Sequence, residues 1–309
     1  MNDRWVEVIL ANKSPAEIWA DIFSLMQMKA LTVDSPAKLH AETVEPDRLL
    51  AEAAWELWET FPEAAEKTSA RLASWTTAAA AGGKAVLILD ALSPRELFII
   101  AEAAKNRNID IACVSLTGSE CPSTTGEFAR SLGASSRASL ADDKKDAGFI
   151  PFAGNCYTGV YSSPFEDCTV IPNPNLFIWH SWLDDHIHVN NDPDILEKIV
   201  AEELQGDGFW EFVNKLRKGH RLVITSDHGY AVSKNFSSEV QDPPAALFLR
   251  SKFRATRFLK DQDEWPIRTI PPLGMTVNTQ RKWKVRIDRE RPSIFNLARA
   301  IFWICFSSP

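Results

Sequence analysis

What this 309-residue chain lacks closes several classes of explanation before any motif is read. No apolar run approaches the roughly 20 residues that span a bilayer. The final apolar stretch, Ala300-Ile301-Phe302-Trp303-Ile304-Cys305-Phe306, is far too short and reads as the completion of a buried helix. The opening Met-Asn-Asp-Arg-Trp-Val-Glu has neither the basic n-region nor the apolar h-region of a secretory signal. Cysteine is sparse and unpatterned: Cys113, Cys121, Cys156, Cys168 and Cys305 are odd in number and form no CxxC. A disulfide scaffold is therefore not expected, and a reducing, cytoplasmic setting is. Internal repeats and long low-complexity tracts are also missing.

What is present is an ordinary soluble composition, 45% apolar, with a formal charge of −7. That charge argues against general nucleic-acid affinity, but it is unevenly spread. Residues 250–291 carry twelve Lys/Arg against five Asp/Glu, whereas residues 1–249 carry twenty-one against thirty-six. The basic segment suits either a phosphorylated ligand or a solvated face complementing the acidic remainder.

The first 83 residues read as a helical extension. Ser14-Pro15-Ala16-Glu17 is a helix start with proline at the first helical position and glutamate placed for a capping box. Residues 51–58 and 64–75 have apolar spacings of three and four, with Trp55 and Trp58 on one face. From Lys84 the pattern changes to alternating strands and helices, which defines a second unit over residues 84–309. Strands are expected at 85–89, 109–116, 176–179 and 221–225. Helices are expected from Pro94 to about 105, from Thr124 or Thr125 to 132, and as one long segment over 193–216. Residues 135–175 have little periodicity and read as an excursion over the sheet's edge. One or two late strands fall in 275–287 with a turn near Asn278, and a closing helix over 293–302. Alternation of this kind predicts an α/β fold, a three-layer α/β/α sandwich around a mainly parallel sheet.

Four places carry chemistry, each at or just beyond the carboxyl end of an expected strand, where open α/β sheets bind ligands. Leu222-Val223-Ile224 runs into Thr225-Ser226-Asp227-His228-Gly229-Tyr230, placing an oxygen and a nitrogen ligand side by side. Asp90 ends Val86-Leu87-Ile88-Leu89 and serves either as a ligand or as a helix cap. Cys121-Pro122-Ser123-Thr124-Thr125-Gly126 puts three hydroxyls at a helix start, fit for a metal-activated nucleophile or for plain N-capping. His180-Ser181-Trp182-Leu183-Asp184-Asp185-His186-Ile187-His188 holds half of the six histidines. On a helix, Asp184 and His188 would share a face.

In this order, Asp90 after a hydrophobic strand, Pro122-Ser-Thr-Thr125, Asp184-x-x-x-His188 and Thr-Ser-Asp227-His228-Gly229 resemble the alkaline phosphatase superfamily of metal-dependent phosphohydrolases. Leu-Asp90-Ala-Leu-Ser, Pro-Ser-Thr-Thr125 followed by Ala129-Arg130, and Thr-Ser-Asp-His-Gly-Tyr are most similar to the PglZ domain. That domain is associated with bacterial phage-defence systems and some response regulators. The likeness covers residues 84–232.

The resemblance implies two divalent ions, zinc or manganese. One would be held by Asp90, Thr125, Asp227 and His228, and the other by Asp184, His188 and a late histidine. Thr125 would attack a phosphoester, whose remainder, a nucleotide or nucleic acid included, Arg250, Arg254 or Arg257 could hold. Thr124 and Ser123 remain alternative nucleophiles. The chain departs from the pattern in having no histidine beyond His228, leaving His180, His186, His220 or Glu290 as substitutes. The departure keeps a second reading open: a non-catalytic docking module for protein partners in a defence or signalling complex.

Overall fold

The computed structural model describes residues 3–53, 57, 60–189, 193–230, 258–260, 278–280, 283–285 and 300–307. Its centre is a mostly parallel six-stranded sheet, so the fold is α/β. The strands are β1 (Gly83–Leu89), β2 (Ile111–Gly118), β3 (Tyr157–Tyr161), β4 (Asn175–His180) and β5 (His220–Thr225), with a last strand described below. Three short strands, β6 (Phe258–Lys260), β7 (Asn278–Gln280) and β8 (Trp283–Val285), form a separate antiparallel sheet. The last strand, β9 (Ala300–Phe306), inserts between β2 and β5, giving the order β2-β9-β5-β1-β4-β3. β1 pairs in parallel with both β4 and β5, β3 pairs in parallel with β4, and β9 runs antiparallel to β5 and β2.

The strand side chains divide by parity, as a period of two requires. Leu87, Leu89, Ile178, Leu222, Ile224 and Ile304 enter one apolar cluster. Val86, Ile88, Phe177, Trp179, Val223 and Trp303 enter the other, on the opposite face. Full burial of each such side chain stabilises the fold by about 1.5–3 kcal/mol. The first cluster continues into the N-terminal helices through Trp5, Trp19 and Phe61, and into helix Leu97–Asn106 through Ile100 and Ala104. The second cluster takes Leu72 from helix Thr68–Thr77 and Phe128 and Ala129 from helix Thr125–Ser131.

Local chemistry sets the joints. The expected capping box forms at helix Pro15–Thr32, where Ser14 and Glu17 exchange bonds. Lys84, buried in β1, directs its Nζ at the carbonyls of Trp75 (2.6 Å), Thr76 (3.3 Å) and Ala78. It thereby closes the last turn of helix Thr68–Thr77 onto the sheet, where orphan carbonyls would otherwise be buried.

Four expectations are corrected. The apolar run 300–306 is a strand, not part of a closing helix. Its side chains are buried on both faces, and a short run of β-branched and aromatic residues suits a central strand better than a helical turn. The long helix over 193–216 is two, Pro193–Gln205 and Asp207–Arg217. Gly206 breaks it with an extended ψ of 152°, and a Cβ there would sit 3.1 Å from the Glu203 carbonyl. Residues 135–175 do not merely pass over the sheet's edge; they contribute its edge strand, β3. The late strands expected over 275–287 are β7 and β8, an antiparallel pair, but Asn278, near which the turn was expected, is the first residue of β7.

A fifth concerns cysteine. Cys113 and Cys305 face each other in the β2/β9 register and form one disulfide, whereas Cys121, Cys156 and Cys168 are free. Register brings together two cysteines 192 positions apart, a pairing that no spacing announces. Trp55, Trp58, Arg250, Arg254, Arg257 and Glu290 lie outside the described residues. Among the described residues no helix is long and apolar enough to cross a membrane.

Candidate metal centre

The strand register accounts for the first convergence. Ile88 of β1 stands opposite Thr225 of β5. Continued two residues, past the strand ends, that register reaches Asp90 and Asp227, whose carboxylates converge at the carboxyl end of the neighbouring strands. Both are fully buried. Asp90, Asp227 and His228 each present a ligand atom within 4.8 Å of the others. Nε2 of His228 is 3.5 Å from Asp90 Oδ1 and 3.5 Å from Asp227 Oδ2.

Thr125 reaches this cluster from the far edge of the sheet. After β2 the chain turns through a cis Cys121–Pro122 bond into helix Thr125–Ser131. Phe128 of that helix packs edge-on against Trp179 of β4, with centroids 5.5 Å apart. Thr124 is the N-cap, its hydroxyl accepting the Glu127 N–H at 3.2 Å. The next hydroxyl, Thr125 Oγ1, lies 3.4 Å from Asp90 Oδ1 and 3.1 Å from His228 Nε2. The division of labour between adjacent threonines is thus set by capping geometry.

The surrounding bonds leave one acceptor over. Asp90 Oδ2 accepts from Trp179 Nε1 at 3.2 Å and forms an ion pair with Arg137. Asp227 Oδ1 accepts the Ala91 N–H at 3.1 Å; the Ser226 hydroxyl lies 3.3 Å from it but directs its proton to the His228 carbonyl at 2.6 Å. Ala91 turns that N–H inward by adopting a left-handed φ of 65°, which is strained for a residue with a Cβ. Asp227 Oδ2, buried, accepts no hydrogen bond among the described residues.

Electrostatics point the same way. Burial pushes the Asp90 carboxyl well above the usual carboxylate range; Asp227 and Asp184 push it further up, and Arg137 opposes them. Two carboxylates and an imidazole are a donor set for zinc or a similar transition ion. An orphaned buried carboxylate oxygen inside that set is what such an ion would satisfy. The residues present fit a divalent cation.

The structure brings together Asp90, Thr125, Asp227 and His228. Asp184 sits in helix Trp182–Val189, close enough for its charge to act on Asp90 and Arg137. His188 is four residues further along that helix, and its side chain lies outside the described residues. The histidines considered as substitutes are engaged elsewhere. His180 is buried: Nδ1 accepts the Trp182 N–H at 3.2 Å, Nε2 lies 3.6 Å from Cys168 Sγ, and the ring stacks on Phe165 at 4.1 Å. Burial lowers its pKa to about 4. Nδ1 of His186 lies 2.9 Å from the Trp182 carbonyl. His220 begins β5, at the opposite end of the sheet, and bonds the Asn173 carbonyl at 2.8 Å.

Arg137 is the site residue that sequence reading missed. It opens a 3-10 segment, Arg137–Asp143, in the stretch without periodicity, so only its charge could have flagged it. Trp179 and Ala91 were likewise hidden inside a strand and a turn. Comparison with family models and with curated proteins finds no match to this chain.

Proposed function

We propose that this chain is a metal-dependent phosphohydrolase of the alkaline phosphatase type, with the PglZ-like arrangement that its motifs resemble, cleaving a phosphomonoester or phosphodiester. One observation carries the reading: the Thr125 hydroxyl shares a buried site with Asp90 and His228, at 3.4 and 3.1 Å. Asp90, Asp227 and His228 would hold the ion beside that hydroxyl. When bound, the ion supplies charge that lowers the hydroxyl's pKa and stabilises the phosphoryl oxygens. The resemblance adds a second ion at Asp184 and His188.

The chain's own residues do the following. Thr125 Oγ1 attacks phosphorus as its proton is lost to solvent, the ester P–O bond breaks, and the departing oxygen takes a proton from solvent, leaving the phosphoryl group on the threonine. Asp90 Oδ1 and His228 Nε2 flank the Thr125 hydroxyl at 3.4 and 3.1 Å and fix its position; both would be ligands of the ion, so the threonine proton passes to solvent. Water then attacks phosphorus, the Thr125–phosphate bond breaks with one water proton restoring the hydroxyl, and inorganic phosphate leaves from a monoester or a phosphomonoester from a diester. Arg137, with its side chain 29% exposed beside Asp90, keeps a positive charge at the mouth of the site.

The test is hydrolysis of a nitrophenyl phosphate and of the corresponding bis-ester by purified protein with zinc or manganese. Thr125→Ala should abolish turnover and Thr125→Ser retain part of it. Undiminished activity in Thr125→Ala would rule out the nucleophile.

The Arg137–Asp90 ion pair favours a second reading. A guanidinium already partly neutralises the carboxylates, as suits a docking module that turns nothing over. Metal content separates the two, since the docking module needs no ion.

A further inference from the structure

Two buried links tie the segment after β1 to the segment after β5. One is the Ala91 N–H bond to Asp227 Oδ1. The other joins Tyr230, two residues beyond His228, to Glu96: the phenol donates to Oε1 at 2.7 Å. Glu96 closes the turn Pro94–Glu96 and is only 2% exposed. Its second oxygen, Oε2, accepts the Ser93 N–H at 3.0 Å and the Ser93 hydroxyl at 2.9 Å, so the carboxylate is fixed at both ends. The Arg95 guanidinium lies 5.5 Å over the Tyr230 ring.

Between Tyr230 and the cluster the backbone is itself held. His228 Nδ1 lies 3.1 Å from the Gly229 carbonyl, and the Ser226 hydroxyl donates to the His228 carbonyl at 2.6 Å. Movement of Tyr230 is therefore passed to Asp227 and His228 through a short bonded segment. A phenylalanine at position 230 would fill the same space but leave buried Glu96 Oε1 without the phenol's hydrogen bond, and the Ser93 bonds engage only Oε2, so neither packing nor capping accounts for the Tyr230 hydroxyl.

We propose that the Tyr230–Glu96 hydrogen bond positions Asp227 and His228 against Asp90. Glu96 and Tyr230 are positioning residues acting through those ligands. The part that concerns an ion rests on the proposed function; the geometric part does not.

The experiment pairs hydrogen exchange on the ion-free protein with zinc titration calorimetry, using wild type, Tyr230→Phe and Glu96→Gln. In Tyr230→Phe, exchange of the Ala91 amide should accelerate about tenfold or more, while the Leu87 and Val223 amides keep their protection. The zinc Kd should weaken about 10–100-fold, the effect expected when the support behind a metal ligand is lost. Glu96→Gln, which keeps a carbonyl acceptor for the phenol, should show a smaller change in both. An unchanged Ala91 amide, or equal acceleration at Leu87 and Val223, would overturn the proposal, the latter marking a general loss of stability. Zinc bound equally well by wild type and Tyr230→Phe would also overturn it. A wild type that binds no zinc would instead defeat the proposed function, and Ala91 exchange would still decide the positioning role.

Discussion

Ala91 donates its backbone N–H to Oδ1 of Asp227 at 3.1 Å, so the turn that follows one buried carboxylate grips the other. The bond holds Asp227 in place while its Oδ2, 3.5 Å from His228 Nε2, accepts no hydrogen bond among the described residues. Ala91 adopts a left-handed φ to make it. Ala91→Gly should relieve that strain and leave denaturant stability unchanged or raised by up to about 1 kcal/mol, with ion binding retained. Loss of ion binding in Ala91→Gly would mean that the turn's rigidity, and not only its hydrogen bond, matters.

Arg137 is the nearest cation to the carboxylates among the described residues. Replacing it by glutamine removes positive charge from the site. The ion-free protein should lose about 1–3 kcal/mol, the scale of a hydrogen bond to a charged group, and divalent-ion affinity should rise. Urea unfolding and calorimetry read the two effects. Affinity that falls in Arg137→Gln would show the guanidinium supporting the ligand set instead of competing with the ion.

Proton competition gives a second sign. The Asp90 carboxyl holds its proton more tightly than an ordinary aspartate because of burial and its neighbours Asp227 and Asp184. An ion binding there expels that proton, so affinity should increase with pH through the raised Asp90 range, with proton release seen in buffers of different ionisation enthalpy. Affinity independent of pH would exclude Asp90 as a ligand.

His180 titrates in the other direction. Its folded pKa of about 4 lies below the ordinary histidine value, so between those pH values the unfolded chain binds more protons. Its contribution is full above about pH 6.5 and disappears as pH falls towards 4, amounting to roughly 3 kcal/mol. Unfolding free energies at pH 7 and 5 should differ more for wild type than for His180→Asn. Equal slopes would show that burial of this ring is not what lowers its proton affinity.

Lys84 offers a test of the fold itself. Its Nζ serves the carbonyls of Trp75, Thr76 and Ala78. Lys84→Met leaves those acceptors unserved and should cost about 2 kcal/mol in denaturant unfolding. No loss would mean that water replaces the ammonium.

The sheet and much of the site were legible because their signals are local. Asp90 and Asp227 each follow a run of buried apolar residues and Thr125 stands at a helix-start signature, and the order of these motifs, through the resemblance it carries, singled them out. The run 300–306 was misread because a fully buried strand and a buried helix look alike when no polar residue marks the period. β3 was missed for a related reason: Tyr157-Thr158-Gly159-Val160-Tyr161 carries a glycine and sits among turn residues. Arg137 and Tyr230 depend on tertiary approach, 47 positions from Asp90 and 134 from Glu96 respectively. No pattern along the chain announces such distances. The choice of Thr125 over Thr124 needed the capping bond to Glu127.

Asp90, Asp227 and His228 are proposed to hold a divalent cation beside Thr125. Elemental analysis of desalted protein, after zinc or manganese reconstitution, tests it most directly, with Asp227→Asn handled identically. Wild type should retain at least one ion per chain, and the variant should lose that ion. A wild type that retains no ion, or an Asp227→Asn protein that retains as much, would contradict it.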